Sequence, residues 1–444
     1  MKAKAMVSVG VVMGSAVLAG MLISACSSDT PNQQPAAGSP GASGSNMTSG
    51  GSGGSGGVAT GGGGTGGSAQ GGGLAMVDGH CPPNSLKHAD NLCYCQPSTL
   101  TACSNGCGDL QTDPDRCGNC DTKCMPSQAC AAGKCGAAPT TLVPAAAGCG
   151  AMHLAVAGGT LYWTDKMHGT VSSVATAGGM PKPLATGQMA PTLLSVTATS
   201  LFWLATGSNS VMTAPLAGTT PMPVFTPPAL TAPIGGFTLS ADGMSLLYST
   251  KTAVMKTTAA PGGTPAEVGH EDSGIPRALA AVGDFIAYPA DVNGDVDVMK
   301  VVPGMPSVCA SEDAAPPVVN LNCNRLARSQ GTLNFDNIFI VGDNVYWVNG
   351  LQVSTSSASM PSGFNETVVG ITSPDAQVIS AFSIYKNFVF VADDAGFISK
   401  APLMVDAPVT TLARAQMAPT SIVADDANVY WATSDCAIMS LPLQ

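Results

Sequence analysis

The sequence predicts an all-β chain. Its body is a β-propeller of seven four-stranded blades, preceded by a small disulfide-rich module and a disordered linker. Three observations carry this reading. An aromatic pair inside an apolar strand keeps returning, as Tyr162-Trp163, Phe202-Trp203, Tyr346-Trp347 and Tyr430-Trp431, with weaker copies at Leu247-Tyr248, Ala287-Tyr288 and Val389-Phe390. The second members, residues 163, 203, 248, 288, 347, 390 and 431, stand 40, 45, 40, 59, 43 and 41 residues apart. That is the period of propeller blades. The phrase Gln188-Met189-Ala190-Pro191-Thr192 precedes Trp203 by the same distance that Gln416-Met417-Ala418-Pro419-Thr420 precedes Trp431.

Taken in order, residues 1–26 read as an export signal. Lys2 and Lys4 supply the positive start, and Val7 to Ile23 is mostly apolar and small. Ile23-Ser24-Ala25-Cys26 resembles the bacterial lipobox, which implies cleavage before Cys26 and diacylation of its sulfur. More than one acyl chain is what stable membrane attachment needs. The rival reading is a plain transmembrane anchor. The polar switch at Ser27-Ser28-Asp29 favours the lipoprotein. Ser27 after the cysteine resembles outer-membrane sorting in Gram-negative lipoproteins. The implied address is the cell envelope, on an outer-membrane anchor facing either the surface or the periplasm.

Residues 27–75 read as a tether of Gly, Ser, Ala and Thr, with runs such as Gly61-Gly62-Gly63-Gly64. Glycine keeps no every-third spacing, which excludes collagen. Such a composition cannot bury a core.

Residues 76–137 hold ten cysteines: 81, 93, 95, 103, 107, 117, 120, 124, 130 and 135. With Cys26 lipidated, fourteen of the fifteen cysteines remain, an even number. An exported chain with that count favours disulfides, of undetermined connectivity. The run from Cys117 to Cys124 resembles small Cys-rich modules of predicted surface proteins in myxobacteria. The competing reading is a zinc site, from the CxxC of Cys117 and Cys120 with His80 and His88 nearby.

Residues 138–444 are the propeller. In each unit a strand such as Ser421-Ile422-Val423-Ala424 is followed by a polar turn, Asp425-Asp426-Ala427-Asn428, and then the anchor strand Val429-Tyr430-Trp431-Ala432. Alternating apolar positions punctuated by Gly, Pro, Asn and Asp are hairpin signals. The last unit lacks its fourth strand. Ala138-Pro139-Thr140-Thr141-Leu142-Val143 matches the closing strand of the preceding blade, Ala407-Pro408-Val409-Thr410-Thr411-Leu412-Ala413. It is therefore expected to complete the C-terminal blade and hide its edge. Cys149 and Cys436 lie near this seam as a disulfide candidate; the rival leaves two free thiols. Tyr162-Trp163-Thr164-Asp165 spells the YWTD motif, so the domain resembles YWTD propellers. That resemblance implies six blades, against the seven anchors counted here.

The longest gap, between Tyr288 and Trp347, holds an insertion with Cys309 and Cys323, a second disulfide candidate. A bridge across so short a loop is worth roughly 3 kcal/mol. Insertions of this kind emerge on one propeller face and are either binding elements or passive loops.

Composition narrows function. With 17 Lys+Arg against 28 Asp+Glu the net charge is −11, and the basic patches that grip nucleic acid are missing. The five histidines, at 80, 88, 153, 168 and 270, sit in no nucleophile or metal motif. Asp291, Asn293, Asp295 and Asp297 alternate like the start of a calcium loop. Val296 and Val302 stand where such a loop needs Gly and Glu, and Asn293-Gly294 is a hairpin signal. No cofactor is called for. The aromatic anchors read as blade packing, not a ligand cage. The expectation is a non-enzymatic envelope protein, membrane-bound through its lipid, that presents a propeller for protein or glycan binding. The alternatives are a propeller lyase or hydrolase with its site at the central channel, and a purely structural envelope component.

Overall fold

The computed structural model of the chain describes Val7–Ser8 and most of residues 74–443. Outside the described residues lie 219, 226–232, 272–277, 291–294, 301–306, 310–322, 329–332, 360–365 and 371–374, with shorter gaps before residue 152. Every regular element among the described residues is a β-strand.

Seven antiparallel sheets form the body. Blade 1 runs Leu154–Ala157, Thr160–Asp165, Thr170–Ala175, Lys182–Ala185, and Val7–Ser8 pairs with its inner strand. Blades 2 to 6 begin at Pro191–Val196, Phe237–Leu239, Ala280–Val282, Leu333–Val341 and Ile379–Tyr385. Blade 7 comprises Pro419–Ala424, Asn428–Thr433, Ile438–Pro442 and, from the other end of the domain, Thr140–Val143. Ile438 pairs with Val143 and Ser440 with Thr140. The ring is thus closed by antiparallel pairing between strands about three hundred residues apart, which covers the edge of Ile438–Pro442. The insertion contributes a strand that the pattern did not foretell: Ser307–Cys309 adds in parallel to the outer strand of blade 3, Ala266–Glu271.

Why the anchor is a pair follows from strand geometry. Successive side chains leave a strand on opposite faces. The first member of each anchor points to the next blade and the second to the previous one, so each seam takes one residue from each neighbour. Tyr162 meets the Trp203 side of blade 2, Phe202 meets Tyr248, and Leu247 shares a cluster with Tyr288. Ala287 lies with Trp347, Tyr346 with Val391, Phe390 with Trp431, and Tyr430 with Trp163. The last pair is the seam that closes the ring, built like the other six. A disulfide between Cys149 and Cys436 crosses it, with a Cα–Cα distance of 6.2 Å.

One anchor is corrected by the register. Trp431 lies opposite Met439 and Ala432 opposite Ile438; in blade 6 Val391 lies opposite Ser399 and Ala392 opposite Ile398. Phe390 therefore holds the first anchor position, and Val391 stands where the other blades carry an aromatic ring. The sixth copy is Phe390-Val391 in place of Val389-Phe390. A phenylalanine one place early misplaced this anchor because both faces of this strand are apolar.

The repeated Gln-Met-Ala-Pro-Thr phrase is a latch between blades. Gln188 donates its backbone N–H to Gly169 O of blade 1 (2.9 Å), and its side-chain oxygen accepts from Trp203 Nε1 of blade 2 (3.1 Å). Gln416 does the same with Gly396 O (3.0 Å) and Trp431 Nε1 (3.2 Å). Both glycines have positive φ, and a Cβ would sit 2.5 Å from Gln188 O or 2.1 Å from Gln416 O, so no other residue fits.

The Cys-rich module is tied by five disulfides: 81–93, 95–107, 103–120, 117–130 and 124–135. The sulfurs of Cys117, Cys124 and Cys135 converge within 4.8 Å, the arrangement a zinc site would need. All three are paired in disulfides, Cys117 with Cys130 and Cys124 with Cys135, and Cys120, the other half of the CxxC, is paired with Cys103. The module docks on blade 6. Gln128 bridges to Ala413 in the outer strand Thr410–Ala413, Arg414 N–H donates to Ser127 O (3.3 Å), and Arg414 Nε donates to Gln128 O (2.9 Å). A short β-pairing therefore covers the exposed edge of blade 6.

Candidate functional site

Where the module meets blade 6 it leaves a cleft of about 600 Å³, within the size range of small-molecule pockets. Thr112, Pro114 and Ala129–Ala132 form the module wall. Asp393, Phe397, Ser399, Thr410, Thr411 and Arg414 form the propeller wall. A second hollow of about 500 Å³, bounded by Asp115, Lys123, Pro126 and Ala395, shares Phe397 and Arg414 with it. The two form one groove along the junction.

Asp393 is the unusual group. It ends the second strand of blade 6, two residues after the anchor position, the place held by Asp165 in blade 1 and Thr433 in blade 7. All three cap the turn that follows. Asp165 Oδ1 accepts from the N–H groups of Met167 and His168, both at 3.0 Å, and its Oδ2 lies 2.6 Å from His168 Nδ1. Thr433 Oγ1 donates within its turn, to Ala437 O at 3.0 Å. Asp393 Oδ1 accepts from Phe397 N–H (2.9 Å), but Oδ2 is buried with no partner, on a residue 0% exposed. The blade 6 turn has no histidine to answer it.

The electrostatics follow. Burial works against the charge on Asp165, but the hydrogen bonds from His168 and its neighbours outweigh it and hold the carboxyl below its ordinary range. For Asp393 burial dominates over the backbone bonds from Phe397, Ala395 and Gly396, and pushes the carboxyl up. A buried acceptor left without a donor costs about 1–3 kcal/mol. Five other buried side-chain atoms among the described residues also lack a partner, those of Thr238, Thr257, Trp347, Ser356 and Ser383; Asp393 is the one carboxyl among them, and it lines the cleft.

The positions singled out in the sequence fall elsewhere. Cys26 lies outside the described residues, as do Asp291 and Asn293. Asp295 and Asp297 lie in the strand Asp295–Lys300, whose first residue pairs with Ala290. Cys309 and Cys323 have placed backbones, on the added strand of blade 3 and the outer strand of blade 4; their side chains are outside the described ones. The groove itself was missed. Its one sequence signal was the recurrence of a strand-ending aspartate, Asp165 and Asp393, and reading the sixth anchor one place early put them out of step.

No protein-family model and no curated protein sequence matches the chain. Solved structures share its fold. A catalytically inactive virginiamycin B lyase from Staphylococcus aureus with quinupristin aligns with TM-score 0.52 at 13% identity, covering 69% of this chain and 99% of that one. The selenomethionine-substituted virginiamycin B lyase from the same organism gives 0.50 at 14%, covering 66% and 95%. The Pan2 WD40 domain of Neurospora crassa gives 0.51 at 12%, covering 69% and 96%. At such identities the likeness is one of fold: this chain is a seven-bladed β-propeller with a disulfide-rich module at its N-terminal side.

Proposed function

We propose that this chain is a lipid-anchored cell-envelope protein whose propeller and docked module bind a protein or glycan. The observation that carries the binding reading is the groove along blade 6, with a buried carboxyl oxygen that has no partner among the described residues. The lipobox-like Ile23-Ser24-Ala25-Cys26 and the Gly/Ser tether supply the anchor and the reach. Cleavage before Cys26 would also remove Val7–Ser8 from the inner strand of blade 1 and leave that edge open.

A propeller enzyme is the second reading, favoured by one pair. Asp165 fixes the ring of His168 through Nδ1, while half of the His168 side chain stays exposed. A carboxylate-oriented imidazole is the arrangement a general base needs. Its place on an exposed turn, with no nucleophile described beside it, ranks this reading second.

The anchor is tested in cells. In a bacterial host, the chain is expected in the membrane pellet with an acylated Cys26 at its mature N-terminus by mass spectrometry. Cys26→Ser is expected to be unacylated and released from the membrane after lysis. Acylation absent from the unaltered chain, or a variant that stays membrane-bound, would contradict the lipid anchor.

A further inference from the structure

We propose that the groove between the module and blade 6 binds a short saccharide, with Asp393 as the hydroxyl-binding group and Phe397 as the surface for the sugar ring. This rests on the binding reading above and names its ligand class. The groove combines the three features such a ligand needs. Asp393 offers a buried oxygen without a partner. Phe397, partly exposed, presents an apolar ring able to cover the C–H face of a pyranose. Thr112, Ser399, Thr410, Thr411 and the Arg414 guanidinium surround them with donors and acceptors.

The choice of a hydroxyl over a cation follows from the groove wall. Oδ2 of Asp393 is buried, which disfavours the charged carboxylate that an ammonium group would need, and the Arg414 guanidinium on the same wall disfavours a second cation. A sugar hydroxyl can donate to Oδ2 without bringing a charge into the site. An extended peptide would look for a free strand edge, and the edge of blade 6 here is already taken by Gln128.

The expectation is tested on the full chain in detergent, titrated against short oligosaccharides of glucose, mannose, galactose, N-acetylglucosamine and uronic acids. A peptide array runs in parallel. Two variants are compared. Asp393→Thr installs the residue blade 7 uses at this position. Asp393 has a raised folded pKa, so its contribution is fully present below the unfolded carboxylate pKa and lost as pH rises through the folded one. Removing it is therefore expected to leave the melting temperature at neutral pH unchanged or higher. Phe397→Ala removes the ring and keeps the backbone bonds to Asp393. Saturable binding of one saccharide class, at least tenfold weaker in both variants with melting retained, is the expected result. Saccharide binding that neither variant weakens would overturn the assignment to this groove, while the binding reading stands. Peptides that bind and are lost in the variants would overturn the saccharide class alone. Binding of neither probe would overturn the proposal and count against the binding reading itself.

Discussion

Cys149→Ser/Cys436→Ser is expected to cost more stability than any other covalent change in the propeller. The bond joins residues 287 apart and spans the seam where the ring closes. Chain-entropy arithmetic for a loop that long gives roughly 5–6 kcal/mol. In the native state the seam survives through Tyr430, Trp163 and the strand Thr140–Val143, so the variant is expected to fold but to open there first. Equilibrium denaturation should show a lower midpoint, and hydrogen exchange should rise first in 140–143 and 438–442. An unchanged midpoint would mean that side-chain packing alone holds the ring.

Trp431→Ala is expected to cost about 3–5 kcal/mol, the range for emptying a buried indole site. Trp431 is fully buried between blades 6 and 7 against Phe390, Ile398 and Ile422. Its loss also strands the oxygen of Gln416, which otherwise accepts from Nε1. Gln416→Ala should cost less, about 1–3 kcal/mol, because the indole cavity is spared and the loss is confined to two hydrogen bonds, from the indole N–H and to Arg414 O. Denaturation midpoints of the two variants, read at constant m, rank them; equal losses would mean that the latch, and not the packing, holds this seam.

How much could be read from the residues alone differs by scale. Seven returns of an apolar pair pointed to the seven blades found, against the six that the YWTD resemblance implied, because each blade must face two neighbours and so must repeat both faces of one strand. The match between Thr140–Val143 and the strand before blade 7 told that the ring closes with its own N-terminus. Gln188 and Gln416 were visible as a repeat, but not as latches: a side chain that reaches from one blade to the next leaves no periodic trace. In blade 6 the pattern failed by one residue, since Val389, Phe390 and Val391 are all apolar and only pairing register tells their faces apart. The groove was the least legible feature. Its walls come from residues nearly three hundred positions apart, brought together by a two-residue contact of Gln128 with Ala413.

The groove along blade 6 is the place where this protein is proposed to meet its ligand. Hydrogen exchange of the full chain, with and without a saturating saccharide or envelope-glycan fraction, tests it most directly. Slowed exchange is expected in two distant stretches at once, 112–132 of the module and 393–415 of blade 6, with the other blades unchanged. Protection confined to the inner strands at the central channel, or to the 289–345 insertion, would contradict it.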